Sequence, residues 1–432
     1  MAENIRLTRS LLPLLALLAV GCQSGDDPGL TELRTVRIEP GPEAARRLQE
    51  ALIMAQPGDV VQLAAGRYAF ESTLSLDVEN VTLRGAGPNK TILSFENQGT
   101  GTGGEGVSIT SNGVVVEDLA IEDTPGDALK LRAAGPVTVR RVRTEWTDGS
   151  QATNGAYGIY PVQCHHVLVE DCTAIGASDA GIYVGQSRFV VVRRNHVSRN
   201  VAGIEIENCT QADVYENVAT ENSGGILVFS LPNLPVAGGS DCRVFKNLIE
   251  ENNHPNFAPA GNIVASVPPG TGIMVMAYDH VEIFQNTICN NKTANLAIVS
   301  YLVTEKTYDD PRYDPYCEAI DVHDNEFSGG GNQPSGTLGK TLSQLTGGTF
   351  PDIVYDGIVD EEKLVEGELP RPLRITIRDN GDADFVNLDL VNFEPLKLRV
   401  PKISRDLVPH DGRHEPLAPV QLKSPLQLES TE

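Results

Sequence analysis

The sequence is poor in aromatic residues and in positive charge. Phe, Trp and Tyr make up 5% of its 432 residues, while glycine is plentiful at 41, the balance that many short strands and tight turns require. Only 34 Lys and Arg stand against 58 Asp and Glu, a net charge of −24, and this excludes a nucleic-acid partner, which needs clustered cations. Cations, basic partners and neutral glycans stay open. No Ser–His–Asp order, Gly-rich phosphate loop or Cys-x-x-Cys pair is present. The apolar run LLPLLALLAV (Leu11 to Val20) is too short to span a bilayer as a mature helix.

What the chain does have is repetition. VRRNHVSRNVAGIEI begins at Val192 and VYENVATENSGGILV at Val214, 22 residues later. Aligned on the first asparagine, the pattern is φ-x-φ-x-x-N-x-φ-x-x-N followed by Gly-Ile-x-φ. Its asparagine position is filled in turn by Leu119, Val142, Cys172, Asn195, Asn217, Asn247, Asn286 and Asn325. Three residues earlier stand Val116, Val139, Val169, Val192, Val214, Val244, Ile283 and Val322. Each row supplies three short strands separated by bends, too short to stand alone but able to pair with identical rows about 4.8 Å above and below. An asparagine amide both donates and accepts, so Asn195, Asn217, Asn247, Asn286 and Asn325 are expected to form a hydrogen-bonded ladder through the stack. Asn200, Asn222, Asn252 and Asn291 make a second column. The architecture this predicts is all-β, a single right-handed parallel β-helix.

The ends read differently. Arg6, Arg9 and the apolar run lead into AVGC, which resembles a bacterial lipoprotein signal, with Cys22 lipidated and Gln23 after it. The resemblance implies export and a lipid anchor, in the outer membrane facing the periplasm or the cell surface. The chain then divides into a signal at 1–22, a tether at 23–35, a β-helix with its N-terminal cap at 36–330, a C-terminal capping region at 331–400 and an extended tail at 401–432. PEAARRLQEALIMAQ (Pro42 to Gln56) is an amphipathic helix placed to cover the open first coil. With PGDVVQLAAGRYAF and VTLRGAGPNKTIL after it, this entry resembles that of the pectate-lyase-like β-helix superfamily. More narrowly, residues 40–330 resemble exported β-helix lipoproteins typically paired with a secreted diheme c-type cytochrome. That resemblance makes such a cytochrome a candidate partner. The haem motif itself is absent here.

Six further cysteines could pair in an exported protein, but Cys164 and Cys209 share a register position two coils apart, roughly 9.6 Å, too far for a disulfide. Cys209 and Cys242 are the pair left open. Outward on strand one, Glu117, Arg140, Glu170 and Arg193 alternate in sign, as a lateral salt-bridge ladder would. They are followed by Tyr215, Phe245, Phe284 and His323, a surface for a glycan or for a covering loop. In TYDDPRYDPY, Asp309, Asp310 and Asp314 are the residues that would hold a calcium ion, the one cofactor considered. Insertions at 147–156, 230–240, 253–270 and 300–318 interrupt the coils. No paired-Asp motif of polygalacturonases and no Asp-Pro-His-Glu signature of alginate epimerases appears. The expectation is therefore a non-catalytic scaffold binding an envelope protein or glycan. The alternative is a polysaccharide lyase, epimerase or hydrolase whose acid and base come from different coils.

Overall fold

The computed structural model describes residues 34–99, 101, 104–390 and 402–423. Cys22 and the rest of the signal lie outside the described residues, as do most of the tether and the last nine positions.

Alternation of side chains builds each coil. In Arg188–Arg193, Val190 and Val192 point inward and are fully buried, while Arg193 points outward. The next coil repeats this one strand above, so Val192, Val214, Val244, Ile283 and Val322 stand in register in a single file, each fully buried. All pairings between these strands are parallel. Strands one and two form one sheet of twenty strands (sheet A), and strands three form a second of eleven (sheet B), among the described residues. Val114–Glu122 and Val137–Glu145 run unbroken through the bend and tie the first two walls together.

The bend is carried by the residue before the ladder position. Asp118, Arg141, Asp171, Arg194, Glu216, Lys246, Gln285 and Asp324 all adopt left-handed backbone, with φ between 51° and 59°. The asparagine is thereby turned inward to bond its neighbours. Asn217 Nδ2 donates to Val192 O at 3.0 Å and to Asn247 Oδ1 at 2.9 Å, and its own Oδ1 accepts from Asn195 N and Nδ2 at 3.0 Å. Asn286 and Asn325 continue the file, and the second column, Asn200 to Asn291, bonds in the same way.

The helix Ala44–Ile53 lies over the first coil with Leu48 and Leu52 buried in the main core. At the other end the β-helix outruns the boundary expected at 330. Thr376–Arg378 pairs with Glu318–His323, Ile353–Tyr355 and Phe385–Asn387 extend sheet B, and Asn380 takes the next place in the asparagine ladder. The repeat is hidden there because long insertions separate the strands of a coil. The tail is extended, but residues 402–423 are also docked. Leu417 N and Val420 N donate to Glu282 and Asp213 on sheet A, and Lys423 N donates to His166 Nδ1. The six described cysteines are free thiols, so Cys209 and Cys242 are unbridged. Burial pushes the Cys209 thiol up to about 12.

Candidate functional site

Strand three is flanked on both edges by the insertions. Residues 147–156 and 253–270 leave the corner before it, and 230–240 and 300–318 the corner after it. Sheet B therefore lies as a floor between loops. Along its outward face the register runs Lys130, Tyr160, then Tyr183, Glu205, Leu227, Met274 and Ala297. Two residues further on, Glu207 precedes Phe229 and Met276 on the same face. The face thus changes from charged and aromatic to apolar at the coil of Ala202–Glu207.

Three carboxyls are buried at that transition. Glu205 and Glu207 alternate with the inward Ile204 and Ile206, so both point out from one strand, with Cα atoms roughly 6.6 Å apart. Asp179 stands just before Ala180, in the coil below. Exposures are 1% for Glu205, 6% for Glu207 and 5% for Asp179. Tyr183 Oη donates to Glu207 Oε1 at 2.5 Å, and Asn262 Nδ2 donates to Asp179 Oδ2 at 2.9 Å. Glu205 is different: its Oε2 is buried with no hydrogen-bond partner among the described residues. Burial raises all three above the carboxylate range, Glu205 most, with the neighbouring acids adding to the rise for Asp179 and Glu205.

Tyr157 and Tyr160 complete the wall. Tyr157 packs 4.4 Å from Tyr160 and 4.6 Å from Tyr183 between ring centroids. Lys130 Nζ lies 5.3 Å from the Tyr160 centroid, held by Glu105 at 3.1 Å and Asp127 at 3.2 Å. Beside it a hollow of about 230 Å³ is lined by Lys130, Arg132, Tyr160, Gln163 and Gln186. Tyrosines, two cations and amides next to buried acids form a surface able to hold a polar, hydroxyl-rich chain.

The residues singled out from the sequence lie elsewhere. Tyr215, Phe245, Phe284 and His323 stack at 4.7, 4.8 and 5.3 Å with planes within 13° of parallel, on sheet A. Their faces are turned to one another along the stack, leaving edges outward, and a sugar needs a free ring face. Among the charges, Arg140 pairs with Glu117 and Arg193 with Glu170. Asp309, Asp310 and Asp314 do not converge. Asp310 is bound by Arg312 at 2.8 Å, Asp314 by Lys363 at 2.8 Å, and Asp309 is exposed. Arg312 beside Asp310 holds its carboxyl down to about 2. Among the described residues no group of three His, Cys, Asp or Glu is placed to hold a metal ion. The acid cluster was missed because GIEIE reads as one more repeat. Its signal was two acids at successive outward positions of a third strand, the strand that carries the insertions in neighbouring coils.

A family model described as "Right handed beta helix region" matches residues 80–240. Among solved structures the chain is similar to the mannuronan C-5 epimerase AlgE4 A-module of Azotobacter vinelandii. That match has 17% identity, covers 74% of this chain and 88% of that one, and has a TM-score of 0.50. It is also similar to endopolygalacturonase I from Stereum purpureum (15% identity, 68% and 94% covered, TM-score 0.42). An exopolygalacturonase from Thermotoga maritima matches at 12% identity, with 69% and 87% covered and a TM-score of 0.41. No curated protein sequence matches. At such identities the likeness is one of fold. By strand register, family model and structural likeness together, the chain folds as a right-handed parallel β-helix.

Proposed function

We propose that the protein is a glycan-cleaving enzyme working at the outward face of sheet B, with Glu205 as proton donor and Glu207 as base. The observation that carries this reading is the fully buried, unpartnered Glu205 oxygen beside the Tyr183–Glu207 hydrogen bond. A scaffold gains nothing from buried acids that apolar residues could replace at no loss of stability. Strongly perturbed carboxyls in a loop-flanked floor are what acid–base catalysis requires. Glu205, lacking a donor, is the one kept protonated, while Glu207 is helped to ionise by Tyr183. In the reaction Glu205 gives its proton to the leaving glycosidic oxygen. Glu207 takes one from a water whose oxygen bonds to the anomeric carbon, so one water is added and one C–O bond broken. Lys130 and Arg132 favour a glycan carrying carboxylates, and the fold is shared with epimerases and polygalacturonases.

The test is product analysis on a panel of neutral and uronate polymers. New reducing ends should appear with the native chain, and Glu205→Gln and Glu207→Gln should each lower the rate roughly 10²–10⁴-fold. Unsaturated, ultraviolet-absorbing products would assign elimination instead, and an inert panel would return the scaffold reading. Anchoring at Cys22 in the outer membrane belongs to the same proposal, supported by LLPLLALLAVGC. Labelling with a radioactive fatty acid should be lost in Cys22→Ser. Association with a diheme c-type cytochrome is proposed on the family resemblance and is tested by co-purification from membranes.

A further inference from the structure

The acids of sheet B are covered, and one segment packed over them carries no charge. Residues 255–270 read PNFAPAGNIVASVPPG, without an ionisable side chain. Val264 and Val267 of this segment are buried in one apolar cluster with Tyr183, Ala202, Leu227 and Phe229, the residues surrounding Glu205 in the register. Its feet are fastened: His254 N donates to Asn222 O, Gly270 N to Ser223 O, and Ser335 Oγ to Pro269 O. Between the feet, Asn256 Nδ2 donates to Val264 O and Val267 O, so the segment is cross-braced as a unit. Its tip, Ala260–Gly261, is exposed, with Gly261 at φ +103° and open space around it. Beneath it lies an unfilled gap of about 20 Å³ among Phe229, Ile263, Val267, Met274 and Met276, and methionine-rich contacts of this kind repack readily. Asn262, donating to Asp179, is its side-chain hydrogen bond to the floor.

We propose that residues 255–267 form a gate over the sheet B acids, latched by Asn262 on Asp179, which is shut while those acids are neutral and opens when they ionise. The groups facing Asp179, Glu205 and Glu207 are Asp127 from below, Tyr157 and Tyr160 from the neighbouring strand, Tyr183 beside them and Asn262 from above. The nearest cation, Lys130, is already bound to Glu105 and Asp127. A shut gate over ionised acids would therefore bury negative charge offset only by the Asn262 amide and the Tyr183 hydroxyl, with no cation to neutralise it. The sign follows. Below about pH 4 the carboxyls are neutral with the gate open or shut, and packing keeps it shut. As pH rises the open form ionises freely while the shut form resists, so the open population grows. Opening also gives a glycan access to Glu205, and the seated glycan, by excluding water in the gate's place, returns the proton to that carboxyl, so on the reading proposed above the gate regulates the site.

Amide hydrogen exchange on the full chain between pH 5 and 8 tests the gate without any glycan. Each rate is divided by the unstructured rate at the same pH. Protection at Ala265 and Val267, whose N–H groups donate to Asn262 O and Val264 O, should fall roughly tenfold or more across this range, while Val214 in the core stays level. In Asn262→Ala the fall should move to lower pH. The triple variant Asp179→Asn, Glu205→Gln, Glu207→Gln should keep its protection throughout. Level protection in the wild-type chain, or a triple variant that still opens, overturns the gate. The wild-type series needs no variant, so a variant that fails to fold does not blunt the test. An inert glycan panel with a working gate would sink the activity alone.

Discussion

Sheets A and B both bury carboxylates on their outward faces, and they treat them in opposite ways. On sheet A, Glu117 faces Arg84, Arg140 and Arg141, Glu122 faces Arg67 and Arg143, Glu170 faces Arg193 and Arg194, and Asp213 faces Arg243. On sheet B, among the described residues, Asp179, Glu205 and Glu207 receive only a tyrosine hydroxyl and an asparagine amide between them. Side-chain bonds from arginine pull the Glu117 carboxyl down despite its burial. Burial, with Asp179 and Glu207 close by, drives Glu205 up. The same residue type on the same spiral is thus a structural strut on one wall and a poised acid on the other. The difference teaches that a buried charge holds register only when its partner lies in the adjacent coil.

Substitutions can break this contrast. The largest effect is expected at Glu117: its replacement by Ala leaves three arginines facing one another and should cost about 2–4 kcal/mol, less than a fully buried pair because those arginines are partly exposed. A melt unchanged from wild type would remove the strut role. Inside the stack, Asn217→Leu should cost on the order of 1–3 kcal/mol by removing the side-chain bonds to Val192 O, to Asn195 N and Nδ2, and one of the two to Asn247 Oδ1. Glu205→Leu should go the other way and stabilise by about 1–2 kcal/mol while abolishing the cleavage proposed for sheet B. A loss of stability there would show that the carboxyl is structural.

The smallest effect concerns pH. Asp279 and Asp356 are pushed up to about 7 by burial, so their contribution is whole below the ordinary carboxylate value and lost as pH rises toward 7. Glu117, Asp118 and Asp171 are lowered, and theirs is lost as pH falls below that value. Melting temperature should therefore peak near pH 5 and decline by a few degrees toward pH 8. A flat profile from 5 to 8 would show that the raised groups are hydrated.

The spiral was readable because each coil repeats a local rule. Val192 and Val214 must face inward in register, since a slip of one residue would turn every valine to water. The same rule placed the asparagine ladder. Beyond 330 the rule was unreadable, because Asn380 belongs to a coil whose strands are separated by long insertions. Nor could spacing show that Tyr215, Phe245 and Phe284 present edges, since ring orientation follows from stacking between coils.

Sequence alone determined the fold, the inward file and the ladder, because these depend on side-chain alternation and on a period the chain writes out repeatedly. Only the tertiary structure decided which acids are matched, which are left poised and what covers them. Those outcomes depend on where residues 255–267 settle, and no repeat encodes that. Packing against Leu227 and Phe229 draws an uncharged segment over Glu205, and excluding water from that carboxyl holds it above the usual carboxylate range.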